Sequence, residues 1–273
     1  MPDADATAAA DLDLLAHHAR RAGEIALRFF RHNPTVWTKG DTSPVSEADL
    51  AVDRYLGAAL AEARPGYGWL SEETGDDGVR LSRARVFVVD PIDGTRAFIA
   101  GSPDWTISLA VVEEGRPVAA ALYCPVRGEM FRAVRGGGAD VDGARLAVSP
   151  LPTLSGARIA APRVLGRRSR LAEAGVEEVP FIPSLAYRLA LVAAGRIDGA
   201  AARGRACDWD LAAADLLIEE AGGALTDFAG RAVRYNRADV RHAPLIAAGA
   251  QLRGPLMALF SDLDPAGGAG AAG

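Results

Sequence analysis

Two aspartates stand three residues apart in the run Phe87-Val88-Val89-Asp90-Pro91-Ile92-Asp93-Gly94-Thr95-Arg96-Ala97-Phe98. Two carboxylates this close in one turn would repel by about 4 kcal/mol at a separation of about 4 Å and an effective dielectric of about 20. A hard divalent cation turns that repulsion into attraction, and carboxylate or carbonyl oxygens are the donors Mg²⁺ prefers. Gly94 lets the backbone turn tightly or approach a ligand closely. Thr95 adds a hydroxyl where a helix is predicted to start, and amides at a helix start suit a phosphate. Asp, Pro and Gly are equally the residues of ordinary turns, and Asp-Pro-x-Asp-Gly alone reads as one.

Three further acids sit where an element begins or ends. Asp49 lies in the first turn of a helix announced by Ser46-Glu47-Ala48-Asp49, where a capping role is the plain alternative. Glu72 and Glu73 follow the short strand Trp69-Leu70, and neighbours on a strand point to opposite faces, so one of the two is expected to face inward. Solvated glutamates are the alternative there. Asp210 opens a helix whose residues from Leu211 to Ile218 are all small or apolar except Asp215, so the helix is predicted to be buried almost all round. An acid at that end wants helix N–H groups or a cation.

The elements that must position these groups follow from the spacing of apolar residues. Leu12, Leu15, Ala19, Ala22, Ala26 and Phe29 predict an amphipathic helix over 11–32, ended by Asn33-Pro34. A polar loop, Lys39 to Pro44, separates it from the helix carrying Asp49, Val52, Tyr55, Leu56 and Leu60. Val86 to Val89 reads as a buried strand, and Pro91 is expected to take the chain out of the sheet. Apolar runs at 107–112, 118–123 and 130–134, separated by Glu114-Gly115 and Arg127-Gly128 and followed by Asp142-Gly143, predict an antiparallel meander. Gly136-Gly137-Gly138 lacks the strand–turn–helix frame of a dinucleotide loop. Beyond Ser149 strands and helices alternate. Strands are predicted at 158–161 and 197–201, helices at 163–174 and 184–194, and Gly222 or Gly223 closes the helix begun by Asp210.

These pieces together resemble the inositol monophosphatase superfamily. Phe87 to Phe98 is similar to its first signature, departing only at Ala100, where the family usually has a polar or basic residue. Trp209 to Gly223 fits its second signature at every defined position, and Val45-Ser46-Glu47-Ala48-Asp49 matches the segment beside the family's catalytic Thr. Ser71-Glu72-Glu73 resembles the family's Gly-Glu-Glu, with Ser71 in place of the Gly. The resemblance implies an α+β, layered αβαβα fold with an N-terminal antiparallel-sheet half (1–148) and a C-terminal α/β half (149–263). It implies that Glu72, Asp90, Asp93, Asp210 and the Ile92 carbonyl bind two or three Mg²⁺ ions. A water activated by metal and oriented by Thr95 and Asp49, with Glu72 in the catalytic set, would attack phosphorus. Asp93, Gly94, Thr95 and Asp210 would touch the substrate, and Arg203 stands six positions before Trp209, where inositol phosphatases carry an acid.

That reading makes the chain a phosphomonoesterase for inositol 1-phosphate or a similar polyol or sugar monophosphate. Alternatives are a 3′(2′),5′-bisphosphate nucleotide, histidinol phosphate, or a non-catalytic regulatory relative. Other phosphatase designs fit badly. The haloacid-dehalogenase type needs two Asp two positions apart. The cysteine type needs Arg six after Cys, where Cys124 meets Met130 and Cys207 meets Ala213. His17, His18, His32 and His242 form no expected metal or acid–base constellation.

Composition narrows the class further. The 273 residues, 49% of them hydrophobic, supply ample core. A net charge of −5 without a basic block argues against nucleic acid, and Arg167-Arg168 reads as solvated surface. No apolar stretch is long enough to span a membrane, and Met1 to Asp11 lacks the features of a signal peptide. Two separated cysteines suit a cytoplasmic protein, expected as a homodimer by the resemblance. Residues 1–11 and the tail 264–273 are expected to be disordered.

Overall fold

The computed structural model describes residues 4–39, 43–162 and 168–260. The chain opens with α1 (Ala4–Leu27), followed by the antiparallel hairpin β1 (Val36–Lys39) and β2 (Ser43–Ser46), then α2 (Glu47–Ala63). A seven-stranded sheet comes next. It comprises β3 (Gly68–Ser71), β4 (Arg85–Asp93), β5 (Thr106–Glu113), β6 (Arg116–Cys124), β7 (Glu129–Val134), β8 (Gly138–Val141) and β9 (Ala144–Arg145), in that spatial order. β3 and β4 run parallel and every other neighbouring pair is antiparallel. The short helix α3 (Thr95–Ile99) follows β4 directly.

The second sheet has five strands in the order β11-β10-β12-β14-β13. These are β10 (Arg158–Ala160), β11 (Glu177–Glu178), β12 (Gly199–Ala202), β13 (Gly223–Asp227) and β14 (Leu245–Gly249). Helices α4 (Arg168–Glu173), α5 (Leu185–Ala193), α6 (Asp208–Glu220) and α7 (Ala250–Phe260) complete the chain.

Alternation along the strands sorts the core into three layers, because successive side chains point to opposite faces. Phe87, Val89, Ile107, Leu109 and Val111 pack on Leu15, Ala19, Ala22, Val52 and Leu56 of α1 and α2. Val86, Val88, Ala110 and Leu122 face the other way, onto α5 and α6, which also cover Ala200, Ala202, Leu225 and Ala247 of the second sheet. The outer face of that sheet, with Ile159, Ala201, Ile246 and Ala248, buries Leu252, Leu256 and Phe260 of α7 and Leu171 of α4. The order of layers is αβαβα. Helix α6 lies between two sheets, so a run from Leu211 to Ile218 that is apolar around nearly the whole circumference is what its place requires.

Several elements differ from expectation. Ala4 to Asp11, expected to be disordered, is helical. Ala8 is buried, and Asp11 is fully enclosed by partners: Arg64 Nε at 2.9 Å, Arg85 Nη1 at 2.9 Å and the Tyr67 hydroxyl at 2.9 Å. The helix ends at Leu27 rather than near residue 32, and left-handed residues Arg31 and Asn33 turn the chain into the hairpin. Ser43 and Pro44, read as loop, are strand. Pro91 does not take the chain out of the sheet. The pairing of β4 with β5 shifts register between Asp90 and Asp93 and resumes at Asp93–Thr106, and such an irregularity needs no donor from Pro91. Both Glu114-Gly115 and Asp142-Gly143 have positive φ at each residue, as tight two-residue hairpins require. Strands β11, β13 and β14 and helix α7 had no clear periodic signal, their runs being short or Ala-rich. Residues 40–42 of the polar loop, 163–167 of the predicted helix, the side chains of Arg167-Arg168, residues 1–3 and the tail 264–273 lie outside the described residues. Among the described residues no helix is long and apolar enough to cross a membrane.

The Asp11 network anchors α1 to the start of β4, where Arg85 also meets Glu113 Oε1 at 2.9 Å. Replacing Asp11 by Ala leaves Arg85 with one carboxylate partner fewer in a buried setting. An Asp11→Ala variant is expected to lose about 3 kcal/mol of unfolding free energy in urea titrations. A loss below about 1 kcal/mol would mean that the amino-terminal helix is not docked as described.

Candidate active site

The two stretches singled out above meet at one place. Carboxylate oxygens of Asp90, Asp93 and Asp210 all lie within 4.8 Å of one another. Asp90 ends the regular part of β4, fully buried, and its Oδ1 accepts from the Ile92 amide at 3.0 Å, an Asx turn within the register shift before Asp93. Asp93 lies beyond the register shift, on the side of the sheet that meets α5. The Ser184 hydroxyl and the amides of Ala186 (2.7 Å) and Leu185 (3.4 Å) donate to it, so one carboxylate satisfies the start of α5. Asp210 is the third residue of α6 and accepts from the Cys207 amide at 2.6 Å. In all three cases backbone donors hold the carboxylate, which fixes its orientation.

Burial raises the pKa of Asp90 well above the usual carboxylate value, and the charges of Glu72, Asp93 and Asp210 push it the same way. Asp93 is raised by burial too, opposed by its Ser184, Ala186 and Leu185 donors and by the nearby Arg188 guanidinium. Asp210 is pushed up to about 7, by burial first and then by Asp93. Without a cation these acids are in conflict with one another. With one, an all-oxygen donor set of three clustered carboxylates suits a hard divalent ion such as Mg²⁺ better than a soft one.

On the other side of β4, the Thr95 hydroxyl is 3.2 Å from Asp49 Oδ1 and 3.1 Å from the Ile92 carbonyl oxygen. Asp49 is buried, and Oδ2 accepts from the Ser46 amide (2.8 Å) and hydroxyl (2.6 Å). Burial raises its pKa while the Ser46 and Thr95 hydrogen bonds restrain the rise. Capping and proximity to Thr95 thus occur in the same residue. Gly94, with φ +94°, places Thr95 at the start of α3. A Cβ there would lie 3.1 Å from the Asp104 carbonyl oxygen and from Ser184 Cβ, so any other residue would be both crowded and strained.

Glu72 leaves the sheet with the turn after β3, and its amide donates to the Val89 carbonyl at 3.2 Å. The expectation that Glu72 and Glu73 alternate across a strand does not apply, because both lie past the strand end. The charge of Glu72 acts on Asp90. Arg203 is exposed just after β12, at the start of the loop leading into α6.

Sequence reasoning missed three supports. Ser184 had been read as the first residue of a helix, whereas it caps that helix and holds Asp93. His242, outside any expected metal or acid–base constellation, sits 2.7 Å from Asp208 Oδ1, and Asp208 also accepts from the Asn236 amide at 2.7 Å, which pins the N-terminus of α6. Asp53 binds the Ser71 and Thr74 hydroxyls around Glu72. The only sequence signal for the last was its offset of four from Asp49.

The Inositol monophosphatase family sequence model matches residues 10–262. The chain belongs to the inositol monophosphatase family. It is accordingly a phosphoric monoester hydrolase. It is 38% identical over 232 residues to an inositol-1-monophosphatase of Mesorhizobium japonicum, covering 80% of this chain and 86% of that one. It is 37% identical over 234 residues to a histidinol-phosphatase of Mycobacterium tuberculosis, covering 81% and 88%. The crystal structure of the extragenic suppressor protein SuhB from Bartonella henselae superposes with a TM-score of 0.82 at 31% identity, covering 92% of this chain and 98% of that one.

A raised carboxylate pKa in the folded state means that unfolding releases protons, so stability falls as pH rises through the window below that pKa. Asp210 and the Tyr235-bonded Asp215, both near 7, and Asp90, raised well above its ordinary value, act in this direction. His18, with its pKa lowered by burial and by His17, acts in the opposite direction at the lower edge of the window. Metal-free protein is therefore expected to melt at a higher temperature at about pH 6.5 than at about pH 8.5, with saturating Mg²⁺ removing or reversing the order. Equal melting temperatures without metal at the two pH values would contradict the buried-carboxylate account.

Proposed function

We propose that this protein is a Mg²⁺-dependent phosphomonoesterase acting on a small polyol or sugar monophosphate, with inositol 1-phosphate the foremost candidate. The observation that carries the reading is the convergence of Asp90, Asp93 and Asp210 beside the Thr95–Asp49 pair. Glu72, Asp90, Asp93, Asp210 and the Ile92 carbonyl are the groups that would hold metal. Bound Mg²⁺ would supply Lewis-acid activation of a water and neutralise charge on the phosphoryl and leaving oxygens. The Thr95 hydroxyl, within reach of both Asp49 and the Ile92 carbonyl, orients the attacking water. Asp49, its other oxygen held by Ser46, fixes that hydroxyl. The Gly94 and Thr95 amides would take phosphoryl oxygens. No side chain needs to form a covalent intermediate.

Phosphate release from inositol 1-phosphate, histidinol phosphate and adenosine 3′,5′-bisphosphate, with and without Mg²⁺, tests the substrate class. In the same assay Asp93→Asn is expected to lower turnover more than a hundredfold, roughly the upper range for groups surrounding a metal. A folded Asp93→Asn protein with near-normal turnover would refute the assignment.

Histidinol phosphate is the second reading, favoured by the 37% identity to the Mycobacterium tuberculosis histidinol-phosphatase. Arg203 bears on substrate choice. A guanidinium donates only and cannot accept from ring hydroxyls as a carboxylate does, but it suits a second phosphate or a carboxylate. Arg203→Glu is expected to lower kcat/KM for the bisphosphate about tenfold relative to inositol 1-phosphate, near the lower end of a charge-assisted hydrogen bond. An unchanged ratio would remove Arg203 from substrate selection.

A further inference from the structure

Helix α2 carries a second buried acid one turn beyond Asp49. Asp53 is 8% exposed, and no cation among the described residues lies within ion-pair distance of it. A carboxylate placed in such surroundings without a compensating partner is costly, so what it touches is informative. Both of its oxygens are taken by hydroxyls from one turn: Ser71 Oγ donates to Oδ1 at 2.5 Å and Thr74 Oγ1 donates to Oδ2 at 2.7 Å. Ser71 Oγ in turn accepts from the Glu73 amide at 3.4 Å. The Glu72 amide is held from the opposite side by the Val89 carbonyl at 3.2 Å. Every residue from Ser71 to Thr74 is thereby tied, and Glu72 lies in the middle of the tied segment.

From this we infer that Asp53 is a positioning residue that aims Glu72 at the carboxylate cluster. The inference rests on the reading of Glu72 as a metal ligand. Asp49 and Asp53 stand four residues apart on one face of α2, separated by about 6 Å along the axis. One reaches Thr95, the other reaches the Glu72 turn. A single rigid helix therefore sets the distance between the water-orienting hydroxyl and the outlying acid. Ser71, which stands where the family has Gly, has a use in this arrangement: Gly could not supply the hydroxyl that joins Glu73 to Asp53. An Asp at 53 is suited to the task, since a carboxylate accepts from two hydroxyls at once while an amide offers one acceptor oxygen.

The test is calorimetric titration of the metal-free protein with Mn²⁺ alone, which reads metal affinity without turnover. Asp53→Asn, close in shape, is expected to weaken Mn²⁺ binding by roughly ten- to a hundredfold, the range for residues that orient metal ligands. The milder Thr74→Val is expected to give a smaller loss in the same direction, and it serves if Asp53→Asn does not fold. The decisive comparison is made in a Glu72→Gln background. There the Asp53 or Thr74 substitution should add almost nothing, because it acts only through Glu72. A loss that stays equally large in that background would show a general structural role and overturn the inference. Unchanged Mn²⁺ affinity in folded Asp53→Asn would overturn it as well. Failure of the parent reading gives a different result: wild-type protein that binds no Mn²⁺, or Glu72→Gln that binds it as tightly as wild type.

Discussion

The mutual repulsion of Asp90, Asp93 and Asp210 is the constraint around which the molecule is arranged. Three acids, two buried and Asp210 half-buried, are held with oxygens inside 4.8 Å of one another, and nothing in their own segments favours that encounter. The fold supplies the force. Asp93 is gripped by the N-terminus of α5, Asp210 by the Cys207 amide at the start of α6, and Asp90 by an amide of its own turn. Helix starts favour negative charge, so each helix gains a cap from the acid it holds in place. Burial and mutual repulsion raise Asp90 and Asp210 above the ordinary carboxylate pKa, so a cation bound there would displace protons.

That grip depends on the layering. Helices α5 and α6 lie between two sheets, and their apolar surfaces, from Ala186 to Ala193 and from Leu211 to Ile218, are buried on both sides. Their positions cannot adjust without opening the largest part of the core. Packing that is close and poorly compressible thus carries the reaction centre. The same logic explains why β4 continues past Pro91. Its register shift against β5 absorbs the missing donor and brings Asp93 to the α5 side. On the opposite face, α2 presents Asp49 to Thr95 and is itself locked by Val52, Leu56 and Leu60.

The residue proposed to bear on substrate choice belongs to a different part of the molecule. In the proposed function the groups that would handle the phosphoryl group come from β4, α3 and the starts of α5 and α6, whereas Arg203 belongs to an exposed loop. Loops of this kind can change without disturbing the layers beneath them. The chain's comparable identity to an inositol-1-monophosphatase and to a histidinol-phosphatase is what such a division of labour would leave behind.

The reactive acids, the meander and the buried helix α6 were legible in the residues themselves. Strand alternation, Asx-Gly turns and an all-apolar helix are local patterns, and Asp90, Asp93 and Asp210 sit at ends of elements those patterns define. What stayed hidden was contributed by distant segments. Asp11 looked like part of a loose start because its value lies in Arg64, Tyr67 and Arg85, which only folding brings to it. Ser184, His242 and Asp53 carry no mark of their partners for the same reason. Short, Ala-rich strands such as β14 have too few side chains to announce a period and are strands because their neighbours pair with them. The sequence by itself determined which residues could do chemistry and on which elements they ride. Only the tertiary structure decided which of them meet, since a hydrogen bond or a charge contact between residues about 90 positions apart is made by packing and by no local preference.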